Sequence, residues 1–473
     1  MLKKIVVGVA VCAGVMVVFS SCKKGTAVST DPWCGDGECN GDETPRDCPE
    51  DCSWYQCGNG ICEGGEPVTC PEDCHEQSCG NGMCESHENP SNCYSDCGNS
   101  DKVDILFVVD NSGGTASMQH LLYQHFGIFR SRLIEVCGEM PDVHIGVVST
   151  DLGAGDYTSI RYCQTPGGDG GVLGMSDGFN DTEVCVGPGQ KYMADRPPQG
   201  CNVQRSGAGE CTGHDCTEQN CEGSGEDHEL ITLQEDNEGC PRCRNFAGSA
   251  RLTFECITGL GVNGCGFEHQ MEAMKKALDV NETPENEGFL RSDSLLAVVF
   301  ATDEDDCSAS DPEYVFNPDP ELDDPDSELG CLKSFRCFEF GVSCDIDGRE
   351  PGPRHDCHPN EDDSIMYNIQ RYTQFLGYLK EPGEMIMASV AGTVDDVIYV
   401  VYDTMDCHEV KLHPSGMAPG IRLKALVSKF NSPDDLEEWA YGPVTSQSAY
   451  ENLMVGLVNK IGERLGCEGA ETF

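Results

Sequence analysis

Apolar residues along this chain gather in short unbroken runs that stop abruptly at acids. Val103-Asp104-Ile105-Leu106-Phe107-Val108-Val109 stops at Asp110-Asn111-Ser112, and Leu295-Leu296-Ala297-Val298-Val299-Phe300-Ala301-Thr302 stops at Asp303-Glu304-Asp305-Asp306. Runs of this length bounded by polar turns predict strands buried on both faces, as in the centre of a parallel sheet. Val143–Thr150 and Glu384–Ala391 read the same way. Elsewhere the spacing becomes helical. Leu121, Leu122, His125, Phe126, Phe129 and Leu133 share one face, as do Met271, Met274 and Leu278 within Phe267–Leu278. Ile365–Leu379, Leu423–Phe430 and Tyr450–Leu465 complete the helices. Strands alternating with helices predict an α/β domain over about residues 101–467, Rossmann-like, with a mostly parallel central sheet flanked by helices.

Two stretches interrupt that pattern. Residues 153–250 dissolve into Gly, Asp, Glu and eight cysteines, without core-forming periodicity, and predict an insertion held by disulfides. A second insertion, 307–363, holds Cys331, Cys337, Cys344 and Cys357 among acids and prolines. Both follow strand ends, so they decorate one rim of the sheet. His144 reads as a satisfied sheet residue and Asp151 as a turn carboxylate. Cys240-Pro241-Arg242-Cys243, with Cys211, Cys216 and His214, has the residues of a redox pair or a zinc site. Among so many cysteines, structural disulfides are the expectation.

A carboxylate and a hydroxyl at the carboxyl end of a buried strand sit where open α/β sheets place ligands. Asp110 with Ser112, and Asp303 at a second strand end, predict one hard-cation site at the sheet top, for Mg²⁺ or Ca²⁺. These residues resemble the von Willebrand factor A domain. That family holds a divalent metal through an Asp-x-Ser-x-Ser loop, a distant Thr and a distant Asp. The resemblance implies a metal on Asp110, Ser112 and Asp303, its shell completed by an acidic group of a protein ligand docking on the rim. It also implies adhesion or assembly rather than catalysis. The chain departs from the pattern at Gly114, where a second Ser is expected; Ser117, or Thr115, lies close enough in sequence to serve. The nearest equivalent of the distant Thr is Gly264-Cys265-Gly266, where a disulfide suits the Cys better than a hard cation.

Composition narrows the partners. Among 473 residues, 82 acids against 30 basic residues give a formal net charge of −52, which disfavours nucleic acid and anionic lipid. Cations, cationic partners or plain solubility fit such an excess. Thirty-two cysteines require an oxidising compartment. The N-terminus agrees: Met1-Leu2-Lys3-Lys4 is basic, Ile5–Phe19 apolar, and Ser20-Ser21-Cys22 follows, so residues 1–21 read as a secretory signal. Small residues before Cys22 resemble the lipobox of bacterial lipoproteins, although Phe19 replaces the preferred Leu. That resemblance implies a membrane anchor through lipid on Cys22, a linker over 22–33 and, with Lys23 rather than Asp next, the outer membrane. Removing Cys12 and Cys22 leaves an even number of cysteines.

Residues 34–97 carry three copies of one unit, starting at Cys34, Cys57 and Cys79 with the opening Cys-Gly-[Asp/Asn]-Gly-x-Cys. Units this short bury no useful core and depend on cross-links or metal. Their recurrent oxygen donors are Asp36, Glu43 and Asp51, then Asn59, Glu66 and Asp73, then Asn81, Glu88 and Asp96. Calcium at each set and plain disulfide knots both fit. His-Glu-x-x-His and Gly-x-x-x-x-Gly-Lys are missing from the sequence, so a non-enzyme is expected. Two alternatives stand beside a surface-anchored binding module. One is a structural envelope lipoprotein without metal-dependent binding. The other is a calcium-dependent secreted hydrolase using the acids at 303–306 and 361–363.

Overall fold

A computed structural model describes residues 102–174, 185–186, 190–205, 211–221, 231–236, 239–346, 349–362, 364–403, 407–411 and 418–467. The signal segment, Cys22 and the three repeats, with Asp36, Glu43, Asp51, Asn59, Glu66, Asp73, Asn81, Glu88 and Asp96, lie outside those residues.

The main sheet uses β1 (Lys102–Val109), β2 (Asp142–Ser149), β3 (Met193–Arg196), β4 (Thr232–Glu235), β5 (Pro241–Arg244), β6 (Leu295–Ala301), β7 (Met385–Ala391) and β8 (Tyr441–Pro443). Their order across the sheet is β8-β7-β6-β1-β2-β3-β5-β4. From β8 to β2 all neighbours run parallel, whereas β3, β5 and β4 add antiparallel pairs. The main helices are α1 (Ala116–Cys137), α2 (Ala250–Thr258), α3 (Gln270–Leu278), α4 (Ile369–Leu379), α5 (Ile421–Val427) and α6 (Gln447–Leu465). They form two packed groups, α1 with α2 and α6, and α3 with α4, itself packed on α5. β6 and β7 are buried along their whole lengths, and β1 from Val103 onward, as unbroken apolar runs demand.

Asp104 interrupts β1's apolar run and is fully buried. It accepts from the Arg291 backbone N–H at 2.7 Å and Nε at 2.9 Å, and from Ser294 Oγ at 2.5 Å. A buried carboxylate so partnered is tolerated. His144 likewise sits inside β2 with Nδ1 3.0 Å from Phe289 O.

The first insertion corrects an expectation. Residues 153–250 do not lack strands: β3, β4 and β5 extend the main sheet beyond β2. Their apolar period was hidden because polar residues are buried there as a set. Asp195 of β3 lies between Arg242 and Arg244 of β5, with Nε distances of 2.6 and 2.8 Å. The second insertion also builds a core, of Phe335, Phe338 and Val342 against Ile398, Val400 and Ile421.

All cysteines from Cys137 onward are paired: 137–467, 163–265, 185–256, 201–216, 211–240, 221–243, 307–337, 331–407 and 344–357. Cys240 and Cys243 therefore take different partners and form no redox pair. Bridging on this scale belongs to an oxidising compartment. Among the described residues no helix is long and apolar enough to cross a membrane.

Candidate metal centre

Strand ends build the site. Asp110 N donates to Ala301 O at 2.9 Å and Thr150 N to Val109 O at 3.2 Å, so β1, β2 and β6 finish at one level. Asp110 is fully buried there. Its Oδ1 accepts from the Ser112 backbone N–H at 2.8 Å, and its Oδ2 from Thr302 Oγ1 at 2.8 Å. Gln119 of α1 donates to Asp110 O at 3.0 Å and Gly261 O at 2.8 Å, fixing the loop above the strand.

Asp303 follows Thr302 and is half-buried, with its carboxyl within hydrogen-bonding reach of Asp110. Burial, then the Asp110 charge, push Asp303 up to about 6. The same two causes push Glu304 up to about 8. Ser112 is buried beside Asp110. Ser117 lies exposed on the first turn of α1, whereas Thr115 is buried and donates to Ser112 O at 2.9 Å.

Glu268, which carried no signal in the sequence, also reaches this level. It pairs with Asp151 in an isolated antiparallel bridge, and Cys307 N donates to its carbonyl at 2.7 Å. His269 N donates to Thr150 O at 3.0 Å. One Glu268 oxygen accepts from the Thr150 hydroxyl; the other, Oε1, is buried with no hydrogen-bond partner. Burial and the Asp110 charge raise its carboxyl well above the usual range. Gly264 donates to Asn111 O at 2.9 Å, and a Cβ there would lie 2.1 Å from Asn111 Oδ1. Cys265 is bridged to Cys163. Asp151 is a turn carboxylate, accepting from Gly153 N at 2.8 Å and Cys265 N at 3.0 Å.

Among the described residues, none of Asp110, Glu268, Asp303 and Glu304 has a basic ion-pair partner. The nearby cations are engaged elsewhere: Lys333 with Asp403, Lys411 with Glu409, and Arg422 with Asp306. Asp305 accepts from the Arg422 backbone N–H at 3.0 Å. A cavity of about 290 Å³ opens beside Asp303 and Glu304, lined also by Lys333, Lys411, Phe335, Phe338 and His408.

No family model, curated protein or solved structure matches this chain. The chemistry rests on the residues themselves. Carboxylates at neighbouring strand ends with hydroxyls beside them offer oxygen donors, the type a hard cation takes. The sole cluster of three metal-ligating types within 4.8 Å among the described residues is Cys201, Asp215 and Cys216. Its sulfurs are joined in a disulfide and offer no thiolate. Around Asp110 and Asp303 the carboxylates are looser than that cluster, with hydroxyls interspersed.

Proposed function

We propose that this chain is a surface-anchored protein-binding module whose folded domain is of von Willebrand factor A type. Lipid on Cys22 would anchor it to the outer membrane, with the Cys-rich repeats between anchor and domain in sequence. Mg²⁺ or Ca²⁺ would be held by the carboxylates of Asp110 and Asp303 and the hydroxyl of Ser112. The cation supplies an electrophilic position to which an acidic group of a protein ligand can bind. Asp110 presents a carboxylate already oriented by Ser112 N and Thr302, and Gln119 holds the loop in place. Thr115, buried behind Ser112, supports that loop, a role the exposed Ser117 does not share.

The observation that carries this reading is that β1 and β6 end together, Thr302 Oγ1 donating to Asp110 Oδ2 at 2.8 Å, which sets Asp303 beside Asp110 with no basic ion-pair partner for either among the described residues. Two carboxylates in such reach repel unless a proton or cation lies between them. The insertions and the open, mixed polar and apolar cavity beside Asp303 provide a rim for a macromolecule rather than an enclosed pocket for a small substrate.

Metal analysis of the oxidised, purified protein after equilibration with Mg²⁺ or Ca²⁺ tests the site. A divalent ion retained by the wild type and lost in Asp110→Ala is expected. Equal metal content in both would leave a structural envelope lipoprotein without metal-dependent binding. Metabolic palmitate labelling that disappears in Cys22→Ser checks the anchor.

A further inference from the structure

We infer that Arg161 and Tyr162 form a second contact for the protein ligand, taking a carboxylate of that ligand while another of its acidic groups meets the cation. This deepens the proposed function and rests on its reading of the sheet top as a docking rim for an acidic ligand.

The loop that carries them rises from the same end of the sheet as Asp110. It leaves β2 after Ser149 and closes on itself where Asp169 N donates to Asp151 O at 2.9 Å and Ser149 Oγ to Asp169 Oδ2 at 2.5 Å. Compact surface loops with joined ends frequently carry function. Cys163 is bridged to Cys265, and Gly264 N donates to Asn111 O at 2.9 Å. These links keep Tyr162 within roughly 20 Å of Asp110, the span of about six extended residues. Tyr157 Oη donates to Glu313 O at 2.8 Å, so the loop is also fastened to the second insertion.

Backbone strain marks the position. Cys163 N donates to Ile160 O at 3.1 Å, closing a turn whose third residue is Tyr162 at φ 67°. Glycine or asparagine suits that place, and a tyrosine there costs conformational energy. Asp356, the other non-glycine residue at positive φ among the described ones, is of a type that tolerates it. The strain gives the fold no buried ring, because Tyr162 is 39% exposed. Instead it stands the ring beside the exposed Arg161, whose guanidinium lies 4.5 Å from the ring centroid and donates from Nη2 to Tyr162 Oη at 2.5 Å.

Charge points to the class of ligand. The chain carries 82 acids against 30 basic residues, yet residues 157–168 hold no acid and one arginine. Among the described residues Arg161 has no acid in ion-pair range, and its side chain bonds to Tyr162 alone. A guanidinium ordered against a ring and left without a carboxylate offers its remaining N–H groups to one from outside. Tyrosine and arginine are also residue types in which binding energy concentrates. The rest of this acidic surface repels such a ligand, so the acid-free loop directs it to the rim.

Random dodecapeptides displayed on phage and selected on the oxidised full-length protein in Ca²⁺ test this. Selected peptides should carry paired acids no more than about six residues apart. Made as free peptides, they should bind both Arg161→Ala and Asp110→Ala about tenfold or more weakly than wild type, with Arg161→Lys between. Tyr162→Asn should also bind more weakly, yet melt no lower than wild type, since asparagine tolerates the turn. A lower melting temperature for that variant would mean that Tyr162 serves the fold, and would overturn its part in docking. Peptides bound equally by wild type and Arg161→Ala but lost in Asp110→Ala would leave the cation site standing and remove this inference. Loss in Arg161→Ala with Asp110→Ala unaffected would keep the Arg161 contact and remove the cation. Selection without acidic peptides would overturn the inference outright.

Discussion

Removing all divalent cations should make this domain lose stability as pH rises from about 5 to about 8, and one side chain should account for much of the loss. Burial and the charges of Asp110 and Asp303 push Glu304 from its ordinary 4.5 up to about 8. Between those values the folded state holds a proton that the unfolded chain has released. Stability is therefore greatest below the ordinary value and falls with pH until the folded value is passed. One retained proton corresponds to about 1.4 kcal/mol per pH unit, hence on the order of 4 kcal/mol across that range. Water reaches the rim, so screening makes this an upper bound. Asp303, pushed from 3.8 up to about 6, adds to the slope in the lower half of the range.

Denaturant unfolding in chelator, followed through the buried Trp439 at about pH 5, 6.5 and 8, measures the slope for wild type and Glu304→Gln. The formal charge of −52 also favours unfolding at high pH, but equally in both proteins, so the difference isolates Glu304. Glu304→Gln should be flatter by up to one proton. Saturating Ca²⁺ should stabilise the wild type most at the alkaline end, where cation and proton no longer compete. Parallel slopes for the two proteins would refute the claim that these acids are uncompensated in the folded state.

Three further outcomes follow from the packing. Replacing Cys137 and Cys467 together by Ser removes a bridge spanning 330 residues between the ends of α1 and α6; unfolding should become easier by about 3–5 kcal/mol, less if the other bridges already restrict the unfolded chain. Arg422→Met strands the buried Asp306 without its ion pair, and should cost about 3–5 kcal/mol in denaturation, a cost largely relieved in the double variant with Asp306→Asn. Gly264→Ala sets a methyl 2.1 Å from Asn111 Oδ1; it should destabilise by about 1–3 kcal/mol and weaken Ca²⁺ binding in calorimetry, since the strain falls on the loop carrying Asp110.

The sheet centre was legible because nothing disguises it. β6 is apolar on both faces, and so is β1 but for Asp104, so their boundaries and their acidic ends could be taken from the residues alone. β3 and β5 were not legible. Asp195, Arg242 and Arg244 are charged residues at buried positions, and no spacing rule marks a charge that will be neutralised by residues nearly fifty positions away. Disulfide pairing was closed to sequence reasoning for a related reason: many pairings satisfy the same even count. Glu268 stayed hidden because it lies just before a helix, where an acid is unremarkable. The bridge to Asp151 and the bond from the Thr150 hydroxyl set it at the end of β2.

The acids at 303–306 show how far a composition argument reaches. As a sequence they form one cluster with one meaning. In the fold they divide within a single turn. Asp303 lies beside Asp110, and Glu304 bonds to Ser334 within range of the Asp110 charge, neither acid having a basic ion-pair partner among the described residues. Asp305 and Asp306 turn to Arg422, whose guanidinium also reaches Tyr367 O at 2.7 Å and Gly341 O at 3.2 Å. The second pair thereby clamps α5 and the second insertion onto the end of β6, and this rigid clamp holds the first pair in place. A loop of four acids without Arg422 would relax its repulsion by spreading into water, and Asp303 would leave Asp110. The uncompensated charge that suits a cation thus depends on a compensated one two residues away. For the same reason Arg422→Met should lower Ca²⁺ affinity as well as stability, although Arg422 itself pairs with Asp306 and not with Asp110 or Asp303.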